Sequence, residues 1–366
     1  MNEQDISKVT KKQKATIKDL ARLANTSVTA VSRALQHKDG VSEETGKRIL
    51  ELAEKHGYRP NLLAKNMRAA KSNIIGIIVG DITRTFFVEL LRGVEEEARK
   101  QGMSVLISNA NEDFENEKNA IENFLAYNCS GIIICPVSDH DDYLLKLKDE
   151  EVSIVLVDRP IQSDGSFNQV FFDNKIEAKR AVEYLLRNGH KNIACLSSLR
   201  PATTTLKKRI EGYKEALIEY GIKIREEYLH TCNDIQDLCD TVEKLLELPE
   251  KPTALFIADE PLAMPTVSTI LRNGLSIPDD ISVMIFGEPT WASSLPPGFS
   301  CISRPVREMG KQAVEMLAEQ IRNRTNSKTS ILPCTIIDRG SVMRIIKQNA
   351  NQHFKEASDG RDFERI

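Results

Sequence analysis

A chain of 366 residues is longer than one ordinary core requires, which points to two or three domains. With 41% hydrophobic and 28% charged residues, and no apolar run near the roughly 20 residues that span a bilayer, the composition excludes a helical membrane protein. The net charge of −3 hides an asymmetry: Met1–Ser72 holds 15 Lys/Arg against 8 Asp/Glu, whereas the remainder holds 35 against 45. A basic end on an acidic body is the pattern of a nucleic-acid-binding module joined to something else.

The leader, residues 1–14, reads MNEQDISKVTKKQK. It is polar and lysine-rich, without the apolar stretch of a secretory signal, so a disordered leader and a cytoplasmic location are expected. Residues 15–60 then read as short helices. Thr16 and Asp19 form a capping-box-like start, and Ile17, Leu20, Ala21 and Ala24 make an apolar stripe at helical spacing. Asn25 stands where the chain must turn, since Asn tolerates the left-handed conformation. Ser27 or Thr26 caps a second helix with Val31, Ala34 and Leu35 inward. Ser42 opens a third, with Ile49, Leu50 and Ala53 as its apolar set and Gly57 as its end. Beyond Tyr58-Arg59-Pro60-Asn61, Leu62–Ala70 can form one further short helix, so 61–72 is read as a linker.

From Ile74 the rhythm changes. The runs IIGIIV, SVLISN, GIIICP, SIVLVD, QVFFD, NIACLSS, TALFIAD and SVMIFG read as strands, with helices at Phe87–Lys100, Glu115–Tyr127, Lys175–Asn188, Lys207–Tyr220, Ile235–Leu248 and Leu262–Asn273. Apolar runs without alternation indicate strands covered on both faces, as in a parallel α/β sheet. More than ten alternating elements exceed one simple unit, so two sheets side by side are expected. No GxGxxG or GxxxxGK[ST] loop is present to cradle a nucleotide phosphate. The seven cysteines and six histidines are scattered, with no CxxC pair, which favours reduced buried thiols over disulfides or a metal site; no cofactor is expected. The tail, 347–366, is polar.

Two short helices joined by a tight turn can either set the second in a DNA major groove or form a small bundle without a ligand. The wording of this segment favours the first. Thr16, Asp19, Leu20, Ala21, Val31, Ser32, Arg33, Leu35, Val41, Ser42, Thr45, Tyr58, Pro60 and Asn61 occur in the order and spacing of the lactose/galactose-repressor (LacI/GalR) family headpiece, which the chain resembles. Asn25, Ala30 and Gln36 depart from that pattern where glycine, threonine and asparagine are usual. The resemblance continues to about Ile346. It implies an all-α helix-turn-helix headpiece followed by an α/β periplasmic-binding-protein-like core of two doubly wound subdomains. The N-subdomain spans about 73–172 and 304–331, and the C-subdomain about 173–303 and 332–346.

The resemblance assigns DNA contacts to Thr16, Ser27, Val28, Thr29, Ser32 and Arg33, and in a hinge helix to Asn61, Ala64 and Met67. Arg33 suits bidentate contact with guanine, and Val28 a thymine methyl. Met67 stands where the family places a leucine wedge, and is either such a wedge or a surface linker residue. The effector cleft would be lined by Arg84, Phe86, Asp158, Arg159, Arg209, Asp259, Glu288, Trp291 and Arg304. Arg84-Thr85 replaces the usual Asn-Pro, Ala258-Asp259-Glu260 the usual A-N-D, Gly287 an aspartate that often holds sugar hydroxyls, and Arg304-Pro305 the usual Gln-Pro. One acid fewer and two arginines more point to an anionic effector, a sugar acid or phosphate; alternatively Arg84 and Arg304 pair with Asp259 or Glu288 and only shape the cleft. Within the family, the segments SSLRPATTTLKKRIEGY and WASSLPP resemble regulators of hexuronate or ketodeoxygluconate use.

What the resemblance implies is a repressor that binds a near-palindromic double-stranded operator as a homodimer, under control of a small sugar or sugar-acid effector. The tail lacks the leucine heptads of a tetramerising coiled coil. Three rivals are a solute-binding protein of sugar uptake, an enzyme of sugar metabolism, and a regulator controlled by a protein corepressor. The headpiece opposes the first. The lack of a nucleophile–base arrangement or phosphate loop opposes the second.

Overall fold

The computed structural model describes residues 15–35, 39–58, 72–137, 141–161, 165–198, 204–323 and 326–345. The chain divides into two compact units, Met1–Ser72 and Asn73–Ile366. The expected leader, hinge helix and tail all lie outside the described residues, apart from Ser72.

In the first unit, helix α1 (Ile17–Leu23) begins with a full capping box: the Thr16 hydroxyl accepts from the Asp19 amide, and the Asp19 carboxylate accepts from the Thr16 amide at 2.9 Å. Asn25 takes the turn with φ +53. Ser27, rather than Thr26, caps α2 (Val28–Ala34), accepting from the Ala30 amide at 3.1 Å. Ser42 caps α3 (Glu43–Lys55). This helix ends in a Schellman pair, with the Gly57 amide on Glu54 and the Tyr58 amide on Ala53. Leu20, Ala21, Ala24, Val31, Ala34, Ile49 and Ala53 are buried together, with Ile17, Leu35, Leu52 and Tyr58 packed around them. Leu50, expected among the apolar set of α3, is exposed; the helix turns Leu52 to the core in its place.

The second unit holds two six-stranded sheets. Strands β1 (Ile74–Val79), β2 (Ser104–Asn109), β3 (Gly131–Ile134), β4 (Ile154–Val157), β5 (Asn168–Phe171) and β11 (Thr329–Ile331) pair in the order β11-β5-β4-β3-β1-β2. Every pairing in this sheet is parallel. Strands β6 (Ile193–Ser198), β7 (Leu229–Cys232), β8 (Ala254–Ile257), β9 (Ser282–Phe286), β10 (Ser300–Ser303) and β12 (Thr335–Ile337) pair in the order β12-β10-β9-β8-β6-β7, with only β12 antiparallel. The chain thus crosses from the first sheet to the second after β5, returns for β11 and crosses again for β12. All eight expected strands are present. One is not covered on both faces: β2 is an edge strand that alternates toward solvent, with Ile107 exposed.

Helices α4 (Thr85–Lys100), α5 (Phe114–Ala126), α6 (Asp141–Asp149), α7 (Asn174–Arg187), α8 (Thr204–Glu219), α9 (Ile235–Glu247), α10 (Ala263–Arg272) and α11 (Val306–Asn323) cover the sheets. The helices α6 and α11 and the strands β7, β10, β11 and β12 lie outside the sequence-based expectation. No described helix is long and apolar enough to cross a membrane. In both sheets the strand order reverses beside the first strand, β1 or β6. That reversal opens a crevice at the carboxyl ends of the strands.

Candidate functional site: a cleft between two sheets and an exposed helix

A cavity of about 260 Å³ lies where the carboxyl ends of the two sheets face each other, and it includes Thr83, Phe86, Asp158, Thr205, Glu260 and Trp291 in its lining. Its four arginines arrive from different elements. Arg84 precedes α4 and donates to the Asp259 carboxylate, whose other oxygen accepts from the Ser198 hydroxyl at 2.6 Å. Arg159 follows β4, and its two Nη atoms each donate at 2.7 Å to Glu112. Asp158 takes φ +64 and turns the chain sharply off β4. Its Oδ1 is buried without a hydrogen-bond partner among the described residues.

Arg209 projects from α8. Gly212, one turn on, is what lets α8 lie on α7: a Cβ there would stand 2.2 Å from the Lys175 carbonyl. This close approach brings the Arg209 Nε to the Asn174 side-chain oxygen at 2.9 Å, while Nη1 donates to the Ala258 carbonyl at 2.8 Å. Its guanidinium lies 4.0 Å from the Phe286 ring centre. Burial, then the neighbouring Arg304, pull the Arg209 pKa down to about 9. Among the described residues no carboxylate forms an ion pair with it. Arg304 leaves β10 with its guanidinium 4.7 Å from the Phe86 ring centre and Nη2 3.3 Å from Glu260.

Eight of the nine expected effector residues therefore meet in one cleft. Glu288 does not line it: it faces an adjoining depression, bonded to Ser303 at 2.5 Å and paired with Arg339. Of the two sequence alternatives for Arg84 and Arg304, the structure shows the paired one, with Glu260 rather than Glu288 serving Arg304. The inference of one acid fewer is corrected with it. The acid absent at Gly287 is offset by Asp259, which stands where the pattern has asparagine and pairs with Arg84.

In the headpiece unit, Ser27, Val28, Thr29 and Arg33 are exposed on α2, opposite its buried Val31 and Ala34. Ser32 is half-buried. The hydroxyls of Thr16 and Ser27 serve as helix caps, so either could meet DNA only alongside that structural role. Asn61, Ala64 and Met67 fall outside the described residues.

Residues 16–61 match the family described as "Bacterial regulatory proteins, lacI family", and residues 72–340 match "Periplasmic binding proteins and sugar binding domain of LacI family". The chain belongs to the LacI family. It is 32% identical over 337 residues to the "Probable HTH-type transcriptional repressor ExuR" of Bacillus subtilis (strain 168), covering 90% of this chain and 99% of that protein. It is 31% identical to catabolite control protein A of Priestia megaterium, over 85% of this chain and 93% of the relative. The crystal structure of the Lac repressor dimer bound to operator and the anti-inducer ONPF superposes with a TM-score of 0.80. At 23% identity it covers 90% of this chain and 100% of that one, a likeness of fold.

As a LacI-family regulator the protein couples a helix-turn-helix DNA-binding headpiece to an effector domain of the sugar-binding type, the architecture expected from its sequence. Family motifs acquire physical reasons here. Asp173 caps α7 through the Lys175 and Ile176 amides, and Asn174 beside it holds Arg209. Trp291 stands edge-on to Phe299, with ring centres 5.2 Å apart, and presents part of its surface to the cleft. Sequence reasoning passed over Thr83, Thr205 and Phe286; only the fold brings them to the site.

Proposed function

We propose that this LacI-family regulator is a cytoplasmic homodimeric repressor, not an enzyme. Two headpieces (15–60), each with a linker (61–72), would hold a near-palindromic operator, and the core (73–346) would release it when a polyhydroxy acid of the hexuronate or ketodeoxygluconate kind occupies the cleft. The observation that carries this reading is Arg209: a buried guanidinium whose hydrogen bonds go to neutral acceptors and whose charge burial and Arg304 disfavour more than Asp259 and Asp158 favour it. A ligand carboxylate on Arg209 relieves that cost. Across the cleft, Asp158 has an oxygen free to accept from a ligand hydroxyl. Together with the Arg304 Nε, a buried donor likewise without a hydrogen-bond partner among the described residues, these groups match a sugar acid better than a neutral sugar. The cavity, smaller than the roughly 300–1,000 Å³ of drug-sized sites, suits a monosaccharide. The likeness to ExuR and the segments noted above agree with that class.

The effector moves the DNA equilibrium only through its differential affinity for the two states of the core. Fluorescence anisotropy of a labelled operator tests this. Glucuronate or 2-keto-3-deoxygluconate should change operator affinity of the full-length protein, whereas glucose, galactose and ribose should not. A response to a neutral sugar alone would overturn the sugar-acid assignment.

A further inference from the structure

Gly287 follows β9 with φ +114, and a Cβ at this position would stand 2.7 Å from the Glu260 carboxylate and 3.0 Å from Arg304 Nη2. The missing side chain leaves the room in which Glu260 meets Arg304. Both partners are largely buried, at 14% and 7% exposure. The Phe86 ring fixes the guanidinium from one side and Glu260 holds its edge. Of the four cleft arginines, Arg84 has Asp259, Arg159 has Glu112 and Arg304 has Glu260, whereas Arg209 forms no ion pair among the described residues and feels Asp259 and Asp158 only without direct contact.

We propose that Glu260 is a specificity-determining residue that limits the effector to a single negative charge. By pairing with Arg304 it leaves Arg209 as the cleft cation without an ion-pair partner, and it sets a like charge against any second anionic group. In a site shielded from water that repulsion is strong enough to discriminate between ligands of equal size. The proposal rests on the sugar-acid reading above for the nature of the ligand, but its charge rule concerns Glu260 and Arg304 alone.

The test uses the full chain as wild type, Glu260→Gln, and Glu260→Gln combined with Arg304→Gln. Calorimetric titration compares glucuronate with galactarate, six-carbon acids that differ by one carboxylate. Wild type should prefer glucuronate. Glu260→Gln should raise the galactarate-to-glucuronate affinity ratio about tenfold or more, and the double variant should return it. In parallel, sulfate at matched ionic strength should raise the melting temperature of Glu260→Gln further than that of wild type or the double variant. An unchanged ratio in Glu260→Gln, or a change that persists in the double variant, overturns the proposal. If wild type binds neither acid, the sugar-acid reading fails by itself. The sulfate comparison then decides Glu260, upholding its role if only Glu260→Gln gains and refuting it if the shifts are equal.

Discussion

Arg84, at the start of α4, donates across the cleft to Asp259, at the end of β8, so one ion pair ties the first sheet's side to the second's. Asp259 is almost wholly buried, at 1% exposure, and Arg84 is only partly so. Removing one partner of a buried pair leaves an uncompensated charge, which costs more than the intact pair contributes. Arg84→Met should therefore destabilise the core by about 3 kcal/mol, softened by the Ser198 hydroxyl that Asp259 retains. Urea denaturation followed by core fluorescence measures this. A variant as stable as wild type would show that the pair does not hold the cleft.

A second buried acid predicts a pH dependence. Glu117 on α5 accepts from the Val137 amide at 2.9 Å, and burial raises its pKa from 4.5 to about 7, against the opposing pull of that amide and of Arg159. Because the folded value lies above the unfolded one, the folded chain keeps a proton that the unfolded chain has released between about pH 4.5 and 7. Stability from this group is thus full below pH 4.5, and falls as pH rises toward 7, by about 3 kcal/mol in total. Glu117→Gln should flatten the curve in that window and exceed wild type in stability at pH 8. His190, whose pKa burial lowers, acts in both proteins and cancels in the comparison.

On DNA, Arg33 is the exposed α2 residue best suited to a bidentate base contact. Arg33→Ala should cost about 1–3 kcal/mol at the operator and relax preference for one base pair, whereas loss of a phosphate contact would weaken all sequences alike. Anisotropy titrations against operator variants separate the two outcomes. Unchanged binding would remove α2 from the groove.

Much of this fold was legible because covered parallel strands must be apolar throughout. IIGIIV and GIIICP announce themselves in that way, and the caps Thr16, Ser27 and Ser42 mark helix starts. Strand β10 did not, because its sequence SCIS looks polar. Its Ser300 is buried only because the Ser341 and Asp338 side chains satisfy its amide and hydroxyl from 41 and 38 residues away. The cleft was legible as a set of motif positions, but its ion pairs were not. Glu260 reaches Arg304 through space that exists only because residue 287 lacks a Cβ, a fact of three-dimensional distance that no spacing in the chain encodes.

Residues 347–366 carry no leucine heptads, so they offer no coiled coil for a tetramer. Sedimentation equilibrium should give a dimer of about twice 41.1 kDa, unchanged when residues 347–366 are deleted. A tetramer that collapses on that deletion would refute this.

The effector response should depend on Arg209 more than on any other arginine of the cleft. Arg84, Arg159 and Arg304 each have a carboxylate within the protein, so an incoming anion gains less from them than from Arg209, whose assigned partners are Asn174 and Ala258. A charge-assisted hydrogen bond to a ligand carboxylate contributes about 2 kcal/mol, or roughly thirtyfold in affinity. Arg209→Gln keeps a donor but loses the charge, and should weaken glucuronate binding by that factor. Arg304→Gln leaves Arg209 in place and should weaken it less. If Arg304→Gln proves the more damaging of the two in calorimetric titration, the anion sits on Arg304 and Glu260 must swing away to admit it.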